Sequence, residues 1–213
     1  MDEEISIIDD RARGERIKNF IIKNKIKILI FLSSIILIIF IFFGYNEYKS
    51  SKRKSIAEQY NLAVINYDSS KKASKKELIN IIKKKDKIYS PLALYFIIDN
   101  DVIQSQDEIN QYFDKIILEV KLEDEIKNLI IYKKAIFNSD NIDEIKLLKI
   151  LDPIIKSDSI WKPHALYLLA EYFFNNNQKQ KAKEFYQEII LLKNKNNNIL
   201  REVQKRLQSE YNW

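Results

Sequence analysis

The apolar residues near the N-terminus form one uninterrupted segment. Sixteen consecutive residues without a charge lie between Ile28 and Phe43, and Gly44 and Tyr45 extend the segment to eighteen. A helix of eighteen residues is about 27 Å long, close to the roughly 30 Å of a bilayer's hydrocarbon core. Because every face of this helix is apolar, the pattern predicts a transmembrane helix at residues 27–45 and argues against a core helix of a soluble domain.

A cleaved export signal is the alternative interpretation of this segment. The charged leader at residues 1–26 is long for a signal, and the segment ends in the sequence "GYNEY", which contains no small-x-small cleavage motif. An uncleaved anchor is therefore favoured. Ser33 and Ser34 do not oppose insertion, because their hydroxyls can donate to carbonyls of their own helix. Tyr45 and Tyr48 are expected at the membrane–water interface, where aromatic side chains are enriched.

Basic residues on both sides of the segment indicate its orientation. Seven Lys and Arg residues precede it, whereas Lys49, Lys52, Arg53 and Lys54 follow it. Lys and Arg concentrate on the cytoplasmic side of spanning helices, so this excess predicts a cytoplasmic N-terminus. The chain is then expected to be a single-pass membrane protein with its C-terminal domain outside the cytoplasm. In a bacterium this is an inner-membrane protein with a periplasmic domain. Tyr45, Tyr48 and the residues from Lys52 to Lys54 are the candidate contacts with the bilayer surface.

The remaining chain, beyond a basic stalk at residues 46–54, shows apolar residues at helical spacing with short polar breaks. β-Hairpins and phosphate-binding loops usually need glycine. The two glycines of the sequence, Gly14 and Gly44, both lie before this domain, which argues against such structures in it. The sequence therefore predicts an all-α domain at residues 55–213. The predicted helices are 56–67, 75–87, 91–103, 107–120, 123–137, 142–156, 162–175, 179–193 and 198–211.

Local residue patterns predict where several of these helices begin and end. Three capping residues are each followed by Glu at the third position, the arrangement that satisfies free backbone donors at a helix start. Pro91 is expected at the first helical position of its helix. The Asn and Asp residues at 99–101 and 175–177 are expected to end helices, because they tolerate the left-handed conformation. The three capping pairs are Ser74 with Glu77, Ser105 with Glu108 and Asn141 with Glu144.

Helices that arrive in pairs every 30 to 40 residues predict an α-solenoid of stacked hairpins. The clearest pair, at residues 164–194, places large, small and aromatic residues on two facing stripes. At these residues the sequence resembles the tetratricopeptide repeat, although Ile189 stands where a small residue is usual and Asn194 where Pro is usual. The matching residues are Leu166, Leu169, Ala170 and Phe173 on the first helix and Ala182 and Tyr186 on the second.

The order of parts along the whole chain resembles a more particular family. The leader "DDRARGERIKNFIIKNK", a single span, a basic stalk, degenerate hairpins and the segment at residues 161–189 are similar to bacterial single-span proteins identified as ancillary subunits of the Sec translocon. That resemblance implies a periplasmic tetratricopeptide-like domain. It also implies partners among the Sec translocon, periplasmic chaperones and exported client proteins.

The residues that catalysis and metal binding most often require are scarce. His164 is the only histidine and there is no cysteine, so neither a His pair for a metal nor a Cys-His dyad can form. Ser157, Asp158 and Ser159 lie near His164 in sequence, which alone does not indicate a triad. We therefore expect no enzyme activity, no cofactor and no small-molecule substrate.

The net charge of +6 is concentrated beside the apolar segment. In residues 46–90, twelve Lys and Arg accompany five Asp and Glu, whereas in residues 91–213 seventeen accompany nineteen. Nucleic-acid binding is therefore not expected, because it needs basic residues interleaved with stacking aromatics on one surface. The lysines at 71–76 and 83–85 either meet anionic headgroups or form a solvated helix face.

One stripe of the clearest hairpin is the candidate protein-binding surface. His164, Tyr167, Glu171 and Phe174 are spaced by three, four and three residues, which places them on one face of a helix beside the core stripe. Tyr and Phe supply large contact areas at protein interfaces. The alternative is that Tyr167 and Phe174 are buried against the next hairpin.

Two other functions remain open at this point. A membrane-anchored scaffold for envelope or cell-division enzymes would have the same architecture. A regulator that acts through its cytoplasmic leader would depend on the charged segment from Arg11 to Arg16.

Overall fold

The computed structural model describes residues 2–193 and 197–211, and within these ranges the regular elements are all α-helices. The all-α prediction is therefore confirmed for the described chain. Two compact units are present, Met1–Ser55 and Ile56–Trp213, called unit 1 and unit 2. The helices are α1 (Asp2–Ile65), α2 (Lys71–Lys83), α3 (Tyr89–Asp99), α4 (Gln106–Glu119), α5 (Asp124–Asn138), α6 (Glu144–Ile155), α7 (Lys162–Asn175), α8 (Lys179–Leu191) and α9 (Asn197–Tyr211).

Unit 1 is helical, and its described apolar side chains are exposed. Every described side chain from residue 29 to residue 50 is exposed, including Phe40 at 72% and Leu29 at 68% of full accessibility. Ser33 and Ser34 donate to the carbonyls of Ile30 and Phe31 at 2.9 and 2.7 Å, as expected for serines inside an apolar helix. By length and composition, one helix near the N-terminus can cross a membrane.

Unit 2 is built by helices that each pack against the next one along the chain, from α2 to α9. In addition, α7 contacts α5 and α9, its second neighbours on either side. The core has two clusters, one from the end of α1 to α5 and one from α5 to α9. Among the largest fully buried side chains are Phe113 in the first cluster and Phe173 and Tyr186 in the second.

The two facing stripes of the clearest hairpin lie in the core, as the sequence predicts. The helix α7 matches its predicted bounds at both ends. Its inward residues are buried to 2% accessibility or less, and so are those of α8. These residues are Leu166, Leu169, Ala170 and Phe173 on α7 and Ala182, Tyr186 and Ile189 on α8.

Two helix ends confirm the predicted role of Asn and Asp. Asp101 and Asn177 adopt left-handed backbone angles, with φ of 48° and 60°. In both cases the next amide donates back across the turn: Val102 N to Ile97 O at 3.0 Å, and Gln178 N to Phe173 O at 2.8 Å. These bonds satisfy carbonyls that the helix end leaves free.

Of the four residues predicted to mark a helix start, one does so and three do not. Ser105 caps α4, since its hydroxyl accepts from Glu108 N at 3.2 Å. Ser74 is instead buried inside α2, because Lys and Ala residues before it are good helix formers and extend the helix to Lys71. The other two errors concern α3 and α6.

Neighbouring Asp residues decide both of those starts. The cap of α6 is Asp143, not Asn141, and its carboxylate accepts from Lys146 N at 2.9 Å. Pro91 is the third residue of α3, not the first, because Asp86 accepts from the amides of Ile88 and Tyr89 and the helix begins before the proline. Pro is tolerated there because the first helical amides have no intrahelical acceptor.

Candidate functional site

The predicted protein-binding stripe lies along α7, and its four side chains are all half-buried. Glu171 occupies the centre of a polar cluster with residues of α8 and α9. Its carboxylate accepts from the Tyr186 hydroxyl at 2.6 Å and from Arg206 Nε and Nη2 at 3.2 and 2.9 Å. A carboxylate held by two guanidinium donors is among the stronger pairings available to a side chain. This cluster joins α7, α8 and α9.

Phe174 lies at the C-terminal end of the stripe, near two cations. Lys179 Nζ and Arg206 Cζ are each 5.1 Å from the centre of its ring, within the range of cation–π attraction. Tyr211, at the end of α9, donates to the carbonyl of Lys179 at 2.9 Å. The helix α9 therefore covers the half of the stripe that contains Glu171 and Phe174.

Burial and the Glu171 carboxylate set the protonation of this cluster. Burial, followed by the hydrogen bond to Glu171, raises the pKa of Tyr186 far above its usual range. The hydrogen bond to Glu171 also raises the pKa of Arg206. The phenol therefore stays protonated as a donor and the guanidinium stays charged at neutral pH. These groups hold one another in fixed positions, which suits a structural clamp better than proton transfer.

The other end of the stripe is aromatic. The ring of His164 lies 5.0 Å from that of Trp161 and 5.8 Å from that of Tyr132, measured between ring centres. Trp161 and Tyr132 are stacked at 5.9 Å, so α5 and the start of α7 meet through these rings. Burial lowers the pKa of His164, which keeps the imidazole neutral at pH 7. Tyr167 is half-buried beside Tyr186, at 6.1 Å between ring centres.

A groove between α4, α5 and α6 was not predicted from the sequence. It has a volume of about 650 Å³. Ile117 and Ile131 contribute apolar surface, Asp107 belongs to the α4 side, and Lys146 and Lys149 belong to the α6 side. Helical periodicity could not reveal this groove, because the groove depends on how far apart α4 and α6 pack against α5.

A network of amides joins α4 to α5 in this groove. Asn138 is 2% accessible, and its amide exchanges hydrogen bonds with Asn110 at 2.8 Å in both directions. Gln106 Nε2 donates to the side-chain oxygen Oδ1 of Asn138 at 3.1 Å, and Asn138 Nδ2 donates to the backbone carbonyl of Lys134 at 2.7 Å. All four hydrogen-bonding positions of the Asn138 amide are therefore used. An Asn in the buried stripe of α5 was the available sequence signal for this network.

Replacing Asn138 by Ala is expected to lower the free energy of unfolding by about 1–3 kcal/mol, because Asn110 and Gln106 lose buried partners. Urea titration of the detergent-solubilised chain, followed by circular dichroism, measures this change. Asn141→Ala is the matched control, since Asn141 is an exposed asparagine of the same groove and its loss is expected to change stability by less than about 0.5 kcal/mol. Equal effects of both variants would contradict the structural role of the network.

The predicted membrane-surface residues all lie on α1. Tyr45 and Tyr48 are 63% and 67% accessible, Lys52 and Lys54 are exposed, and Arg53 is half-buried. Their contact with a bilayer stays a prediction. Among the described residues, no group of three or more His, Asp and Glu side chains is arranged to hold a metal ion.

Comparisons of the chain with protein-family models, with curated proteins and with solved structures found no match. The resemblance to tetratricopeptide proteins and to ancillary Sec subunits therefore stays a prediction from the sequence.

Proposed function

We propose that this chain is a single-span membrane protein that holds a tetratricopeptide-like protein-binding unit at the periplasmic face of a bacterial inner membrane. The observation that carries the proposal is the apolar part of α1, whose described side chains from residue 29 to residue 45 are all exposed. In water this would be an unusually large apolar surface, whereas in a bilayer it is matched by lipid.

Two features of unit 2 support a tetratricopeptide-like solenoid. Its helices pack in chain order, and α7 touches both α5 and α9, the relation expected when hairpins stack and their first helices become neighbours. The residues that resemble the repeat, from Leu166 to Tyr186, form the buried centre of the α7–α8 pair. Solenoids of this type offer extended surfaces for binding other proteins.

The partners we propose are the Sec translocon, periplasmic chaperones and exported client proteins. The support is the order of leader, span, stalk and helical domain, together with the segment at residues 161–189. The membrane anchor would keep unit 2 close to partners at the same membrane. Such tethering raises the effective concentration of the partners, up to about millimolar.

A photo-crosslinking amino acid at Tyr167 tests the proposed partners in native membranes. Tyr167 is a half-buried residue of the α7 stripe, and Leu191, 81% accessible, is the control position. We expect translocon subunits, chaperones or exported proteins to be trapped at position 167 and not at position 191. The same trapped proteins at both positions, or cytosolic proteins alone, would contradict the proposal.

Protease digestion of intact spheroplasts tests the proposed orientation. With a periplasmic unit 2, an antibody against the C-terminal half should detect cleavage without lysis. Protection of unit 2 until the membrane is opened would place it in the cytoplasm and would exclude the proposed periplasmic partners.

A further inference from the structure

Four lysines share one face of α2. Lys72, Lys76 and Lys83 are separated by four and seven residues, or about one and two helical turns, and Lys75 lies beside them. Ile79 lies among them and is half-buried. This surface, called the α2 lysine face, is distinct from the side of α2 that buries Leu78, Ile81 and Ile82 in the core.

The neighbouring lysines differ from the α2 lysine face because acidic groups of unit 2 bind them. Lys85 pairs with Glu119 at 2.9 Å, and Lys87 pairs with Glu123 at 3.5 Å. Glu77, the one acid of α2, lies 3.9 Å from Lys84. Within the described ranges, the four lysines of the α2 lysine face form no ion pair. The structure thus separates the lysines of this region into a group with acidic partners and a group with none among the described residues.

We propose that the α2 lysine face binds the anionic headgroups of a phospholipid bilayer. Lysine ammonium groups attract phosphate-bearing headgroups, and their aliphatic stems can lie on apolar surface while the charges remain at the interface. Ile79 gives this face an apolar centre that can enter the headgroup region. The inference rests on the proposed function, because the anchor is what keeps a bilayer within reach of unit 2.

The composition of the face favours a bilayer over a nucleic acid. Non-specific binding of single strands combines a basic groove with aromatic side chains that stack on bases. The α2 lysine face contains Ile79 and no aromatic residue. The rest of the domain, residues 91–213, carries seventeen basic and nineteen acidic residues, so the excess of positive charge is not shared by the rest of the domain.

The absence of cysteine from the chain allows a direct test with one engineered thiol. The full chain with Ile79→Cys, labelled with an environment-sensitive fluorophore, is reconstituted into vesicles that contain spin-labelled lipid as a quencher. We expect strong quenching in vesicles of phosphatidylcholine with phosphatidylglycerol and weak quenching in phosphatidylcholine alone. Each lysine near an anionic surface strengthens the attraction up to about fivefold. The triple change Lys72→Glu, Lys76→Glu and Lys83→Glu should therefore reduce quenching to the level of neutral vesicles.

A matched triple variant separates the α2 lysine face from net charge. Lys121→Glu, Lys193→Glu and Lys205→Glu change three exposed lysines outside α2 and alter the charge by the same amount. This variant should keep the quenching in anionic vesicles. Equal quenching in both kinds of vesicle, or equal loss in both triple variants, would overturn the inference. Circular dichroism of each variant must show the same helicity. If the α2 triple variant fails to fold, the double variant Lys72→Gln with Lys76→Gln replaces it and should lose an intermediate share of the quenching.

Two further outcomes are distinguishable in the same preparation. A chain that is extracted from the vesicles at alkaline pH contradicts the proposed function itself. A chain that stays in the vesicles while the probe at position 79 remains unquenched contradicts only the α2 inference. Binding of a fluorescent oligonucleotide that the α2 triple variant abolishes, without lipid-dependent quenching, would assign the face to nucleic acid and would also overturn it.

Discussion

Two lysines at the centre of the apolar helix should release the chain from the membrane. Ile36 and Ile38 lie within the uncharged segment and are 54% and 64% accessible. On the biological insertion scale, a lysine at the centre of a spanning helix costs about 2.5–3.5 kcal/mol, and an isoleucine is slightly favourable. We expect Ile36→Lys with Ile38→Lys to move most of the chain from the membrane fraction to the soluble fraction without detergent.

Ile36→Leu with Ile38→Leu is the control for that experiment, because leucine inserts as well as isoleucine. This variant should remain with the membrane. If the double-lysine variant also remained there and needed detergent for release, the apolar segment would not be the anchor. Unit 2 should keep its helical circular dichroism in both variants, since the substitutions lie in unit 1.

Phe173→Ala should be the most damaging single change in unit 2. The ring is 2% accessible and stacks on Phe185 with 5.4 Å between ring centres, in the core that joins α7 and α8. Removing a buried phenylalanine costs about 3–5 kcal/mol, because the apolar contacts are lost and a cavity remains. For a unit of this size such a loss lowers the melting temperature by about 6–20 °C, which thermal circular dichroism in mild detergent measures.

The adjacent Phe174 is the matched control for this prediction. It is half-buried and contacts Lys179 and Arg206, so Phe174→Ala loses mainly the cation–π contacts and is expected to cost about 1 kcal/mol. Similar melting temperatures for the two variants would mean that α7 does not face the core through Phe173.

The helices of unit 2 could be predicted because their signals are local. The spacing of apolar residues predicted α7 from Lys162 to Asn175, as observed. The two clusters of Asn and Asp predicted helix ends, and each contains a residue with positive φ. Two of the wrong starts, those of α3 and α6, share one cause: which of several nearby polar residues caps a helix depends on which carboxylate or hydroxyl reaches a free amide. Asp143 and Asp86 reach such amides.

The binding surfaces could be predicted only in part. Periodicity placed His164, Tyr167, Glu171 and Phe174 on one face of α7. It could not reveal that Arg206, thirty-five residues after Glu171, would bind that carboxylate. Such pairings depend on how helices stack, and the sequence contains no local trace of them. For the same reason the α4–α6 groove and the division between the α2 lysine face and the paired lysines after α2 became visible only in the folded chain.

Accessibility of single cysteines along α1 tests the central claim most directly. The chain has no cysteine of its own, so Ile36→Cys reports on the apolar segment and Leu191→Cys on an exposed position of unit 2. In native membranes we expect a water-soluble maleimide to label position 191 at once and position 36 only after detergent is added. Rapid labelling of position 36 in the absence of detergent would show that water, and not lipid, surrounds this helix.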